Sequence, residues 1–373
     1  MAMKLSDLNT PCFVLDINKV EHNATRMRAT CERLQLKLRP HTKTHKTLEA
    51  ALIQTGGSKR CIAVSTLAEA EFYASHGFDD ILLAYPITES KIARCLDLMQ
   101  KLESFHVFVS GPDGVSTLKA HEADLPPPKV WSVVLEVDAG YGRTGFDIEG
   151  QEVMDAVQTI TESARMSLAG VYCHCGDSYV IWSKTDREKL QRNTVQLLCS
   201  LQNRLKDFGV TCPFGTGSTP TCSLPIDLNK SLSEFHPGNY IFYDYQQYLL
   251  NACRESDIAG RVMTRVVAHK PEKSMILVDC GFTAISHDGM RQQLPDDDFC
   301  LIQGESNLKL IGMSQELGQI VAKLGDLDCT QYPIGTIFFL YPYHSCATAA
   351  MHSEYYVHSD NQVVGKWTPV KGW

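Results

Sequence analysis

Eight short apolar or β-branched runs, each followed by a segment with helix signals, most limit what this chain can fold into. They occupy residues 36–39, 61–64, 81–84, 105–109, 131–137, 168–174, 211–215 and 233–236. Strand–helix alternation with right-handed crossovers builds a parallel sheet, and eight such units imply closure into a (β/α)8 TIM-type barrel of the α/β class. An open doubly wound sheet is the competing architecture, but no Gly-x-Gly-x-x-Gly follows the first strand. Thr66-Leu-Ala-Glu69 reads as a capping box opening a helix that Gly77 closes. Leu190, Leu197, Leu201, Leu205 and Phe208 mark one face of a long helix. Ahead of the barrel, residues 12–16 read as a strand and 17–34 as an amphipathic helix.

The pattern changes after about Tyr248. Helical periodicity stops, and β-rich runs at 261–268, 275–279, 300–303, 336–341 and 354–358 are separated by turn residues. A second, mainly antiparallel β-domain is expected. The domain reading is a barrel over residues 13–248, with 1–12 and 249–373 forming the β-domain. A net charge of -8 and the lack of a basic stripe with interleaved aromatics argue against nucleic-acid binding. No run approaches the ~20 apolar residues of a membrane helix, and the N-terminus has no apolar signal core, so a cytoplasmic protein without membrane contact is expected. The 14 cysteines are scattered without regular spacing, which suits reduced thiols in a reducing compartment.

In a barrel of this kind, chemistry sits where strands end at their carboxyl side. The first strand delivers Arg39-Pro-His-Thr-Lys43-Thr-His-Lys46. By residue type this is a solvated basic loop. At a strand mouth, Lys43 between His41 and His45 is instead an amine that cationic crowding and partial burial would make nucleophilic, able to form a Schiff base with an aldehyde. The fifth strand delivers Asp138-Ala-Gly-Tyr-Gly-Arg143-Thr-Gly145, the sixth Tyr172 and His174, the seventh Gly217-Ser218-Thr219, and the eighth His236-Pro-Gly238-Asn239-Tyr240. Gly-Ser-Thr alone is an ordinary turn. Between the seventh and eighth strands of a barrel it becomes a candidate phosphate cup, which Gly238 and Asn239 can complete. Arg143 is either a surface salt-bridge partner or a permanently charged donor to a phenolate or carboxylate.

The β-domain carries one dense cluster, Tyr341-Pro-Tyr-His344-Ser-Cys346. His-x-Cys is commonly core packing. In extended chain, however, residues two apart share a face, so His344 and Cys346 could hold one metal through imidazole and thiolate, a pairing that favours zinc and leaves positions open for catalysis. Cys173-His174-Cys175 is a rival site, but cysteines flanking His174 on a strand point away from its face, into the barrel shell.

Taken in order, Arg39-Pro-His-x-Lys-x-His-Lys46, Val137-Asp-x-Gly-x-x-Arg-x-Gly145, Gly170-x-Tyr-x-His-x-Gly176, Thr216-Gly-Ser-Thr-Pro-Thr221, Pro237-Gly-Asn-Tyr240 and Pro342-x-His-x-Cys346 resemble one family. The chain is similar, over about residues 8–373, to the eukaryotic D-serine dehydratases, which share a group with D-threonine aldolase on the alanine-racemase-type barrel that binds pyridoxal 5'-phosphate (PLP). The resemblance implies that Lys43 holds PLP covalently, that Arg143 faces its phenolic oxygen and that Tyr172 lies near its pyridine ring. It places His174 with the cofactor contacts, and Gly217, Ser218, Thr219, Gly238 and Asn239 in the phosphate cup. It makes His344 and Cys346 the ligands of Zn2+, and implies a homodimer acting on a small-molecule substrate, D-serine or also D-threonine. One departure is Leu317 after Ser314-Gln-Glu316, where the family pattern has histidine, so Glu316 receives no role.

The reaction implied is β-elimination of D-serine to pyruvate and ammonia, with Lys43 as the base and zinc assisting departure of the hydroxyl. D-threonine aldolase, cleaving D-3-hydroxy amino acids, is the alternative. An amino-acid racemase would need a second acid or base on the opposite face of the cofactor and no metal.

Overall fold

In a computed structural model, residues 3–289 and 298–373 are described. The chain falls into two compact units, one of residues 25–238 with 370–373 and the other of 1–24 with 239–369.

The first unit is the barrel. Its eight parallel strands are Lys37–Leu38, Ile62–Val64, Asp80–Pro86, Ser104–Val109, Trp131–Asp138, Met166–Cys173, Phe214–Thr216 and Glu234–Phe235. Around the sheet the order is first, eighth, seventh, sixth, fifth, fourth, third, second. A parallel bridge between His41 and Ala63, with Ala63 N donating to Pro40 O at 3.0 Å, joins the first strand's end to the second and closes the ring. The seventh strand starts later than expected: Pro213 accepts from Val171 N but has no N–H to return, so pairing begins at Phe214. Half of the capping box is present: Glu69 N donates to Thr66 Oγ1 at 3.2 Å, while the Glu69 carboxylate accepts from Ser65 N at 3.4 Å, and Gly77 follows that helix at φ +84°. The long helix Lys184–Asp207 buries Leu201 and Leu205 of the expected leucine face, but Leu190 and Leu197 are only half-buried and the inward stripe is shifted. Arg187, Gln191, Thr194, Leu198, Leu201 and Leu205 turn inward, while Phe208 is 47% exposed because it caps the helix beyond its last packed turn.

Ala63, Leu82, Phe108, Val134 and Tyr172 form an apolar cluster of alternating inward residues from five strands. The barrel also holds buried charge. Arg39 lies 2.6 Å from Asp80 and 3.6 Å from Glu234, and Asp80 also faces His106 at 3.4 Å. Burial alone would raise both carboxyls, but His106 and Arg39 hold Asp80, and His236 and Arg39 hold Glu234, well below the usual carboxylate range. Both folded-state values are depressed. Their stabilisation is therefore present above the unfolded values of ~3.9 and ~4.3 and lost as pH falls toward the folded ones. Acid unfolding followed by circular dichroism should begin below about pH 4. Arg39→Ala takes the guanidinium from the buried Asp80 and the half-buried Glu234, leaving Asp80 to His106 and Glu234 to His236 and Lys37, and is expected to cost about 3 kcal/mol, measured by denaturant unfolding at neutral pH.

The second unit is a nine-stranded sheet. Its main path runs Leu308–Met313, Gly318–Ala322, Met275–Val278, Gly260–Lys270, Cys12–Asp16, Tyr355–Ser359 and Gln362–Trp367. Ile337–Pro342 pairs with both Gly260–Lys270 and Cys300–Ile302. All pairings are antiparallel except that of Cys12–Asp16 with Tyr355–Ser359. Three strands went unread in the sequence: Leu308–Met313, Gly318–Ala322 and Gln362–Trp367. The last had a readable signal, since Asp360 and Asn361 both have positive φ and make the two-residue hairpin turn before it. Phe13 anchors this unit, fully buried against the rings of Phe242 and Tyr355.

Candidate active site

At the barrel mouth, four loops converge on the seventh strand's end. Gly217 has no room for a side chain: a Cβ there would lie 2.7 Å from His236 O and 2.8 Å from Tyr172 Oη. The Tyr172 hydroxyl donates to Gly217 O at 3.0 Å, and His174 Nδ1–H donates to the same carbonyl. The Tyr172 ring stacks on His236, with centroids 4.8 Å apart and planes 13° apart. On the other side, His41 N donates to Pro237 O at 2.9 Å, and a Cβ on Gly238 would sit 3.0 Å from His41 O. The loop bearing Lys43 is thereby fastened beside the glycine-rich one.

Lys43 sits in a single 3-10 turn, Thr42–Thr44, with its side chain exposed. The turn is held by His41 Nδ1, which accepts from Lys43 N at 3.3 Å, and by Thr42, whose hydroxyl is 3.2 Å from both Ala63 O and Glu69 Oε2. The flanking histidines do not supply the cationic crowding expected from sequence. His45 is fully buried, accepts from Thr47 N and donates from Nε2 to Gln54 Oε1 at 2.9 Å; burial pulls it down to about 4. Burial, with Lys43 and His236 nearby, holds His41 well below its ordinary value. Both rings are neutral at pH 7. The nearby permanent cation is Arg143: burial together with Arg143 and Lys43 brings His174 to about 3, leaving a neutral ring with a free Nε2 lone pair.

Arg143 owes its place to Asp138, which the sequence motif contained without a role, and to Glu136, which sequence reasoning passed over. Asp138 gathers the N–H groups of Gly140, Tyr141 and Gly142 at 2.8–3.1 Å, shaping the loop, and its position ahead of a glycine-rich run was a readable turn signal. Glu136, buried and accepting from Ser110 at 2.6 Å, lies 3.5 Å from the guanidinium. In the cup, the Ser218 hydroxyl is shared with Ser178 and Thr221, Thr219 N donates to Tyr179 Oη at 3.1 Å, and Thr219 Oγ1 is buried without a partner. Cys173 and Cys175 are buried in the shell, Cys175 beside Thr194.

In the β unit, His344 and Cys346 meet, but not along an extended strand. His344 is the N-cap of the helix Ser345–Met351, and Cys346 is that helix's second residue. The helix start is fixed by Asp244, whose Oδ2 accepts from Ser345 N at 2.9 Å. Burial alone would lower His344, but the adjacent Cys346 and Asp288 raise it well above the ordinary imidazole value. Its Nδ1 donates to Asp288 Oδ2 at 2.7 Å. Asn239, expected in the phosphate cup, directs its side-chain amide to Asp244, Ser345 and Cys346 Sγ.

Residues 15–246 match the alanine racemase N-terminal domain family, and 259–358 match the serine dehydratase domain family. A D-serine dehydratase of Dictyostelium discoideum is 34% identical over 99% of this chain and 98% of its own. The chain belongs to the eukaryotic D-serine dehydratase family. It is accordingly a lyase, on the alanine-racemase-type fold that the sequence led us to expect. Two solved structures of a D-threo-3-hydroxyaspartate dehydratase superpose closely. A histidine-to-alanine mutant gives a TM-score of 0.94 at 26% identity, covering 100% of this chain and 98% of that one. A cysteine-to-alanine mutant in the metal-free form gives 0.93 at 26%, covering 100% of both. Family membership makes PLP the group to test against the barrel mouth, and the residues fit it. A cradle that a Cβ would fill at Gly217, an unpartnered buried hydroxyl on Thr219 and an exposed amine on Lys43 are the features a phosphorylated aldehyde requires. Among the described residues no group of three or more His, Cys, Asp or Glu could hold a metal ion. His344 and Cys346 are two such side chains, one short of a group of that size. No helix among the described residues is long and apolar enough to cross a membrane.

Proposed function

We propose that this protein removes the hydroxyl and the α-proton of D-serine, giving pyruvate and ammonia, with PLP on the barrel and zinc on His344 and Cys346. The observation that carries the reading is the His-x-Cys spacing. It equals the separation of the two residues altered in the hydroxyaspartate dehydratase structures, one of them metal-free. Bound PLP would stabilise negative charge developing at the substrate α-carbon, and bound zinc would make the β-hydroxyl a better leaving group. Lys43 would anchor the cofactor through Nζ and take the α-proton at the same atom. Arg143, steadied by Glu136, would hold the phenolic oxygen. Gly217, Ser218, Thr219 and Gly238 would hold the phosphate. Burial, with Glu136 nearby, keeps the Tyr172 hydroxyl well above its ordinary value, so it stays protonated and offers the ring a neutral phenol. His174, fastened through Nδ1, would offer a neutral acceptor at Nε2.

A homodimer belongs to the same reading; light scattering of the purified protein checks it. Incubation with D-serine and with D-threonine tests the reaction. Pyruvate from D-serine, or 2-oxobutanoate from D-threonine, is expected. Glycine plus an aldehyde would identify an aldolase, and only the mirror-image amino acid would identify a racemase.

A further inference from the structure

The metal-site reading gives two side chains, His344 and Cys346, and a site with so few protein ligands depends on what aims them. Two separate polar contacts do so within the β unit. Asp288 Oδ2 accepts from His344 Nδ1 at 2.7 Å, which orients the ring and leaves Nε2 as the nitrogen a metal would take. Asn239 Nδ2 lies 3.5 Å from Cys346 Sγ and donates to it. Asn239 is in turn held by Asp244 at 2.6 Å. Asp244 is fully buried, takes Gln247 N at 3.0 Å on its other oxygen and also takes Ser345 N. One buried carboxylate thus ties down both the amide that touches the sulfur and the first turn of the helix carrying that sulfur.

We propose that Asn239 and Asp288 are positioning residues of the metal pair: Asp288 orients the imidazole, and Asn239, anchored by Asp244, orients and screens the thiolate. This rests on the His344–Cys346 metal reading and removes the Asn239 side chain from the phosphate cup. A thiolate that accepts an N–H is a less easily oxidised donor, so the hydrogen bond has a spectroscopic signature as well as an effect on affinity.

The test uses the full-length, PLP-loaded protein, stripped of metal by a chelator and titrated with Co2+ against a chromophoric competitor. Asn239→Ala should raise the Co2+ dissociation constant about 10- to 100-fold and move the thiolate-to-cobalt charge-transfer band to longer wavelength, with PLP loading unchanged. Asp288→Ala, at a half-exposed position that folding tolerates, should weaken Co2+ by a similar factor without moving the band. Unchanged affinity and band in both variants would overturn the proposal. So would an Asn239→Ala protein that loses PLP but binds Co2+ normally, which would return that side chain to the cup. If the unaltered protein gives no charge-transfer band, or Cys346→Ala keeps it, the metal reading itself falls, an outcome distinct from the other two.

Discussion

Lys43→Ala is expected to leave a folded protein that carries no visible absorbance from covalently held cofactor and forms no pyruvate from D-serine. Loss of the general base alone accounts for about 10²–10⁴-fold in rate, and loss of the anchoring amine adds to that. The folded state should survive, because the Lys43 side chain is exposed while its turn is held by the backbone and by Thr42. Two measurements decide the matter: a visible spectrum after PLP loading and a coupled pyruvate assay. Retention of the absorbance band would remove Lys43 from the anchoring role.

Cys346→Ala and His344→Ala are each expected to lose zinc and dehydration together. Hydroxide is a poor leaving group, since free water has a pKa of ~15.7, and a coordinating metal brings bound water to roughly 7 in favourable sites. A contribution of several kcal/mol from such coordination corresponds to about 10³-fold in rate or more. Metal analysis of the purified variants, paired with the pyruvate assay, is the measurement. Full turnover by a chelated, metal-free sample of the unaltered protein would remove the leaving-group role. The visible band of Lys43-bound cofactor should persist in both variants, because the cup residues Gly217, Ser218 and Thr219 are untouched.

Some candidate residues stood out in sequence because their chemistry repeats at a predictable place. Polar residues ending otherwise apolar strands stood out, so Lys43, Arg143, Tyr172, His174 and the Gly217-Ser218-Thr219 run could be named before any contact was seen. The His-x-Cys pair was legible for the same reason, although its geometry was not. The two residues meet across a helix start that a distant carboxylate, Asp244, fixes. His45 shows the converse. It lies in the same motif as the candidate Lys43, yet its ring turns inward to Gln54 and Thr47.

The alternation of short apolar runs with helix signals determined by itself that this chain builds a parallel barrel followed by a β unit, because side-chain periodicity dictates which face of each element must leave water. The order of its loops determined which residue types reach the barrel mouth. Only the tertiary structure decided which of those side chains are neutral, paired or committed elsewhere. Arg39 answers to Asp80 and Glu234, Arg143 to Glu136, and Asn239 to Cys346, through partners from 7 to 195 positions away. Hydrogen bonds and buried charge act over a few ångströms of space, a separation that a linear pattern does not encode.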